Sequence, residues 1–384
     1  MLIQEYLKDN TLEDLENEFG IKNRLYDDRV VLNYSQIDSP KNDPIVRECR
    51  GLILSIPDFK ILSRTFDRFY NYGEDQESKN FDILNSYIDE KVDGSLCPVY
   101  HDGEKWQVAT RGTAYAEGEV NKSNKTFREI FIKTIGGDPN DIFHDVNKDY
   151  TIIFELVSPE SRVVKPYQEA CVYLIEIRNK KTGDFIGVEE SFNWDMPDCV
   201  KWKYPEQFGF KTWDNIFHSM EKLSAMDEGY VAICKNTPAN HNSNKWRLKV
   251  KNPSYLAIAN LRLNGLINEK RIILLVLMND QAEYLQYFPE DQKEFDPYIK
   301  AYQDMKNEIY DLWFKYKDIE DQKEFALSIK DCPARSILFS MRKDSETLFD
   351  LTKGIKKGIK INDIIYSMAQ NSKVRLLKGY VGRK

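Results

Sequence analysis

Lys91 stands in the segment Glu90-Lys91-Val92-Asp93-Gly94-Ser95, just ahead of a hairpin signal. Further along, Phe154-Glu155-Leu156 sets one carboxylate between apolar neighbours on a predicted strand, and Glu228-Gly229-Tyr230-Val231 sets another at the start of a second. Lys249-Val250-Lys251 puts two ammonium groups on one face of a third, because strand side chains alternate. Upstream, Glu48-Cys49-Arg50-Gly51 precedes the apolar run Leu52-Ile53-Leu54-Ser55. These types suit nucleophilic chemistry. A lysine amine attacks only when deprotonated, its reference pKa is about 10.4, and nearby cations such as Lys249, Lys251 and Arg50 lower it. The carboxylates suit a hard divalent cation, which prefers oxygen ligands. Taken singly, each segment also reads as a surface turn, a solvated charge, an edge-strand lysine pair or a turn arginine. Taken together in this order, they do not look accidental.

The elements that must position these residues are mostly strands. Leu96 to Tyr100 and Lys105 to Thr110 flank His101-Asp102-Gly103-Glu104, an Asp-Gly turn between extended runs. Pro98 lacks a ladder donor and predicts an edge position there. Val172 to Arg178 and Asp184 to Val188 flank Lys181-Thr182-Gly183 in the same way, and Tyr150 to Val157 and Gly229 to Cys234 are further β-branched, aromatic strands. Strands outnumber strand–helix alternations, so residues 1–255 read as α+β with antiparallel sheets flanked by helices.

After Asn252-Pro253 the pattern turns helical, which predicts a small all-α domain over 256–384. Asp296-Pro297 predicts an N-cap and N1 proline, followed by a stripe of Tyr298, Tyr302, Met305, Ile309, Leu312 and Tyr316. Asn362 to Leu377 is a less regular helix candidate. The hexapeptide Glu290 to Phe295 recurs at Glu320 to Phe325, which reads as two similar polar helix starts.

Two domains are the natural expectation for 384 residues, and 41% hydrophobic residues with 12% aromatics can supply a core. The net charge of −7 argues against a blanket grip on nucleic acid, so a polyanion needs a local basic patch. From Asp331 to Lys384 there are twelve Lys/Arg against five Asp/Glu, clustered at Lys353, Lys356, Lys357 and Lys360 and again at Lys373, Arg375, Lys378, Arg383 and Lys384. These predict either a solvated helix face or a phosphate-tracking surface. Six scattered cysteines and four histidines make a zinc site an unfavoured reading. The N-terminus lacks signal-peptide character, and the longest apolar run, Ile272 to Met278, is far below the ~20 residues of a membrane span. A soluble cytoplasmic protein is expected.

The ordered set resembles the covalent nucleotidyltransferase superfamily of ATP-dependent ligases and capping enzymes, and more closely the phage T4-type RNA ligase 1 family. In that family an E-C-R-G element lies upstream of the K-x-D-G lysine. A basic–aromatic element follows it, read here as Ser63-Arg64-Thr65-Phe66-Asp67-Arg68-Phe69-Tyr70-Asn71. Pro166-Tyr167-Gln168-Glu169 with Ala170 to Arg178 is similar to a further family element. The resemblance runs from about Glu48 to Tyr255. Arg68 and Arg111 stand where the family commonly has lysine, keeping the charge on a planar fork, and Tyr70 replaces a phenylalanine.

The resemblance implies a ligase-type nucleotidyltransferase domain followed by a helical domain that contributes RNA binding. It implies Lys91 as the nucleophile that takes up AMP, with Asp93 and Gly94 completing its motif and Lys249 and Lys251 as a phosphate clamp. Arg50, Arg68, Tyr70, Arg111, Glu155, Glu228 and Gly229 join those lysines in the implied ATP site. Glu228, with Glu155 and Asp280 behind it, is the implied ligand of Mg²⁺ or Mn²⁺. Phe69 or Tyr70 is expected either to stack on a base or to fill core. The implied reaction joins RNA 5′-phosphate and 3′-hydroxyl ends, single-stranded or in a cleaved tRNA loop, through lysyl-AMP and an RNA-adenylate. A monomer in a phage host's cytoplasm is implied as well. The rival readings are an mRNA capping guanylyltransferase or DNA ligase, both of which usually carry an OB-fold after the last motif, and an inactive nucleic-acid-binding module on the same fold.

Overall fold

The computed structural model describes residues 1–74, 77–120, 123–187, 200–235, 237, 243–260, 262, 266–278, 280–351, 364–365, 368 and 370–382. These form two units, Met1–Asn260 and Leu261–Lys384.

Three antiparallel sheets make up the first unit. The N-terminal sheet has the order β1-β2-β3-β4, from Ile21–Leu25, Arg29–Tyr34, Arg50–Ser55 and Ile61–Ser63. Its two central strands are apolar on both faces because both are covered. Val30, Leu32, Leu52 and Leu54 pack under the N-terminal helices, while Val31 and Ile53 meet Tyr100 and Ala109.

The remaining strands are β5 (Ser86–Glu90), β6 (Ser95–His101), β7 (Trp106–Val108), β8 (Tyr150–Val157), β9 (Cys171–Asn179), β10 (Phe185–Ile186), β11 (Gln207–Phe208), β12 (Gly229–Cys234) and β13 (Trp246–Lys251). They form a five-stranded sheet β10-β9-β8-β6-β7 and a four-stranded sheet β11-β5-β12-β13. In the larger sheet Cys97, Val99, Ile152, Phe154, Leu156, Val172 and Leu174 face one core with the helix Phe127–Ile135. The opposite face, carrying Leu96, Glu155 and Tyr173, is left for other work.

The hairpins read from the sequence are present, the second over Phe185–Ile186 with Val188 outside the described residues, but Pro98 does not mark an edge, since β6 lies between β8 and β7. A strand residue directs its N–H and C=O to the same neighbour. The Pro98 carbonyl accepts from Ala109 N at 2.9 Å, just past the last β7 residue, Val108. Its missing donor therefore faces the stretch where β7 has already ended.

The second unit is helical, including Glu269–Met278, Gln281–Tyr287, Gln292–Tyr316, Gln322–Ser328, Arg335–Leu351 and Gln370–Lys378. The long helix starts at Gln292, one turn before the Asp296-Pro297 start expected from sequence, and Pro297 lies inside it. Phe295 explains the extension: it is fully buried against Tyr284, ring centroids 5.2 Å apart, which offsets the hydrogen bond the proline removes. The repeated hexapeptide does lead into two helices, and its second phenylalanine, Phe325, is also fully buried. Of the Asn362 to Leu377 candidate, residues 362–363, 366–367 and 369 lie outside the described set, and the helix seen is Gln370–Lys378. Among the described residues no helix is long and apolar enough to cross a membrane.

Candidate active site

The segment Lys91–Gly94 carries the chain from β5, in the four-stranded sheet, to β6, in the five-stranded one. Lys91 is anchored through its backbone, its N–H donating to Gly229 O at 2.9 Å. Gly94 is required by close approach: a Cβ there would lie 2.5 Å from Leu156 O. Gly229 is required twice over, by a φ of +120° and by Val250 O at 2.3 Å from any Cβ. Between them these glycines bring Lys91 against the end of β12 and the loop's far end against β8.

Glu228, just before β12, is the hub. Its Oε2 accepts from Lys91 Nζ at 2.7 Å, and its Oε1 meets Lys251 Nζ at 2.9 Å. Burial pushes its carboxyl up, but the two ammonium groups outweigh that and hold it below the usual range. Lys251 faces Gly229 directly across the β12–β13 ladder, and Lys249 is two residues along on the same face.

Lys249 is more enclosed. Its backbone is pinned by the segment carrying Phe69 and Tyr70, with Lys249 N donating to Tyr70 O at 2.9 Å and its carbonyl accepting from Tyr72 N at 2.8 Å. Its Nζ lies 4.7 Å from the Phe69 ring centroid. Burial, joined by the charges of Arg50, Lys91 and Lys251, pushes this amine down to about 7. Arg50, at the head of β3, has a guanidinium lowered by burial and by Arg111, and its buried Nη1 has no hydrogen-bond partner. Glu155, on β8, has no hydrogen-bond partner for its carboxylate among the described residues, and burial pushes that carboxyl up to about 7 despite Lys91 and Arg50.

The other expected site residues are occupied differently. Asp93 is tied down: Oδ2 accepts from Val164 N at 2.9 Å and Lys165 N at 2.7 Å, and Oδ1 accepts from Tyr255 Oη at 2.6 Å. It shapes the loop and has little left to offer a ligand. Arg68 is ion-paired with Glu74 and lies 4.4 Å from the Tyr70 ring. Tyr70 itself is buried in a core with Phe81, Trp246 and Leu248, its hydroxyl 3.0 Å from Asn42 Oδ1, so packing is its visible role. Arg111 donates from Nε to Asn33 at 3.2 Å and covers the Tyr34 ring. Asp280 belongs to the second unit, exposed at the start of the helix Gln281–Tyr287.

Two contributors were missed by sequence reasoning. Tyr255 sits one turn into the helix Pro253–Ala259, and the Asn252-Pro253 helix start directly after Lys251 is the signal that would fold it back over the strand end. Lys165 bridges Glu90 at 3.3 Å and Asp227 at 2.8 Å, and nothing local announces it.

Among the described residues no three acidic, histidine or cysteine groups cluster as a metal cage. Of the two expected metal carboxylates in this unit, Glu155 has no hydrogen-bond partner for its side chain among the described residues, while Glu228 has both oxygens held by Lys91 and Lys251. Oxygen donors of this kind suit a small divalent ion that completes its shell with water and ligand phosphates, provided Glu228 gives up an ion pair.

A family model described as RNA ligase matches residues 48–255. A baculovirus protein, from Autographa californica nuclear polyhedrosis virus and named as a bifunctional polynucleotide kinase/RNA ligase, is 29% identical over 324 residues, covering 80% of this chain and 44% of that protein. An RNA ligase of Rhodothermus phage RM378 is 28% identical over 389 residues, covering 81% of this chain and 86% of its own length. The chain thus spans under half of the first relative and most of the second. Among solved structures, an archaeal ATP-dependent RNA ligase superposes loosely, with a TM-score of 0.42 and 14% identity over 88% of this chain and 79% of that one.

Proposed function

This chain belongs to the RNA ligase family, and we propose that it is an ATP-dependent RNA ligase in which Lys91 takes up AMP and passes it to a 5′-phosphate. The observation that carries this reading is the crowding of cations, Lys91 among them, around the buried Lys249 amine. Arg50, Lys91 and Lys251 all act on that amine, Arg50 has an unsatisfied buried nitrogen, and burial together with those charges brings Lys249 down to about 7. A polyphosphate is the ligand that such a cluster lacks.

In this reading neutral Lys91 Nζ attacks the α-phosphorus of ATP; an N–P bond forms, the bond to the β-phosphate oxygen breaks and pyrophosphate leaves. Lys249, Lys251 and Arg50 hold the phosphate oxygens as their charge grows. A 5′-phosphate oxygen of RNA then attacks the same phosphorus and releases Lys91, and a 3′-hydroxyl displaces AMP to seal the strand. Glu228 and Glu155 would hold Mg²⁺ or Mn²⁺, which supplies counter-charge to the phosphates and to the departing pyrophosphate. Before attack, Lys91 must give up both its proton and its ion pair with Glu228.

The test is label transfer. Incubation with α-labelled ATP is expected to leave acid-labile, base-stable label on the protein, with pyrophosphate released. Label from GTP but not ATP favours a capping guanylyltransferase instead, and no label from either sinks the reading. Sealing of 5′-phosphorylated single-stranded RNA, compared with cleaved tRNA loops, then identifies the substrate class.

A further inference from the structure

The sheet face that presents Glu155 continues outward in a readable row. Leu96 is paired with Glu155, Glu155 with Tyr173, and Tyr173 with Lys203. Paired residues project to the same face at about 4.8 Å per strand, so Lys203 stands roughly 10 Å from Glu155. The stretch containing Lys203 is held in place as an extra edge, Lys203 N donating to Val172 O at 2.9 Å and Leu174 N to Lys203 O at 2.8 Å. Trp202 turns the other way, onto Phe154 in the opposite core, with ring centroids 5.8 Å apart. Alternation therefore leaves Lys201 and Lys203 on the side of the reacting residues.

Both lysines are exposed, and neither has an ion-pair partner among the described residues. With Tyr167 and Tyr173 they line a groove of about 860 Å³, in which Glu169 is the carboxylate. The inner end adjoins the Lys91 segment: Tyr173 lies near enough to Glu90 and Lys165 for their charges to act on its hydroxyl, and Lys165 Nζ is 5.6 Å from the Tyr167 ring.

We propose that this groove holds the single-stranded RNA next to the end being joined, with Tyr173 and Tyr167 offering ring faces to bases and Lys201 and Lys203 holding phosphates. The proposal rests on the RNA ligase reading above. Its argument is complementarity: in a chain of net charge −7, two unpaired ammonium groups beside two tyrosines match the base-and-phosphate alternation of one nucleic-acid strand. The groove wraps the sheet edge, lined by Val172, Val200 and Trp202 as well, and Tyr173 ties it to the sheet face of Glu155, where an RNA end has to arrive.

The test uses the full chain with Lys201→Glu and Lys203→Glu combined, and Tyr173→Ala beside Tyr173→Phe. Lysyl-AMP formation from α-labelled ATP needs no RNA and is expected to stay within about twofold in the lysine variant. Binding of a 5′-phosphorylated single-stranded RNA, read by fluorescence anisotropy, should weaken roughly tenfold or more in that variant and in Tyr173→Ala, but not in Tyr173→Phe. The slope of log affinity against log salt should flatten by about 1.4 on losing two phosphate contacts. Unchanged affinity and slope overturn the proposal. So does loss of lysyl-AMP formation in both the Glu pair and a milder Lys201→Gln, Lys203→Gln pair, since the lysines would then serve the nucleotide step. If the wild-type chain takes no label, the ligase reading fails first, while the binding measurement still reports on the groove.

Discussion

Lys249 and Lys378 carry the same side chain into opposite surroundings. Lys249 sits on β13 under Phe69, hemmed in by three other cations, and its amine titrates near 7. Lys378 ends the helix Gln370–Lys378 and spends its charge on a half-exposed ion pair with Glu269. Its neighbour Lys373 is buried, and of the three described members of the C-terminal basic run only Arg375 is exposed without a carboxylate partner. Lys353, Lys356, Lys357, Lys360, Arg383 and Lys384 lie outside the described residues. Counting charges along a chain therefore says little about what they do. Desolvation and neighbouring cations make a lysine chemically useful, whereas water and a nearby glutamate leave it ordinary.

That contrast can be broken most decisively at Lys91, the proposed nucleophile. Lys91→Ala is expected to abolish covalent labelling by α-labelled ATP; wild-type labelling of that variant would remove Lys91 from the reaction. Next in size, Lys249→Ala or Lys251→Ala should each slow lysyl-AMP formation by roughly a hundredfold, the scale of losing one preorganised charge donor in a transition state. Single-turnover rates at saturating ATP measure this, and a loss confined to ATP affinity would recast them as binding groups only.

Gly229→Ala tests whether the Lys91–Glu228 contact depends on backbone approach. The added methyl meets Val250 O and requires a strained φ, so a cost of about 1–3 kcal/mol in denaturant unfolding is expected. Unaltered stability would mean that the strand ends have room to part.

A finer probe is pH. Lys249 titrates near 7 when folded and near its ordinary 10.5 when unfolded, so between those values the unfolded chain holds the extra proton. Its contribution to stability therefore rises as pH climbs from about 7 toward 10. Lys249→Met should be more stable than wild type at pH 7, with the advantage shrinking toward pH 10. A constant difference across that window would place the Lys249 amine in water. At the small end, Lys378→Ala should change unfolding free energy by less than about 1 kcal/mol, as exposed pairs do, and leave lysyl-AMP formation unchanged.

Much of the site was legible because its pieces are local. Lys91 to Gly94, the β-branched runs around Glu155 and after Glu228, and the two-residue spacing of Lys249 and Lys251 all follow from turn chemistry and strand period. What misled was equally local. Asp296-Pro297 has the form of a helix start, but Phe295 had a distant pocket to fill; Pro98 has the form of an edge, but a neighbouring strand ends where its donor is missing. Tyr255 and Lys165 act on Asp93 from 162 and 72 residues away, and no window along the chain contains both ends of such a contact.

The amino-acid sequence by itself determined which groups are available: one amine in a glycine-bounded turn, two carboxylates at strand positions and a same-face lysine pair. Only the tertiary structure decided their states. Gly229 and Gly94 let backbones approach closely enough to draw Lys91 onto Glu228. Burial together with Arg50, Lys91 and Lys251 moves Lys249 to about 7, and burial moves Glu155 to the same region. Proton affinity depends on solvent exclusion and on charges a few ångströms off, and those are properties of the folded arrangement rather than of any residue in the chain.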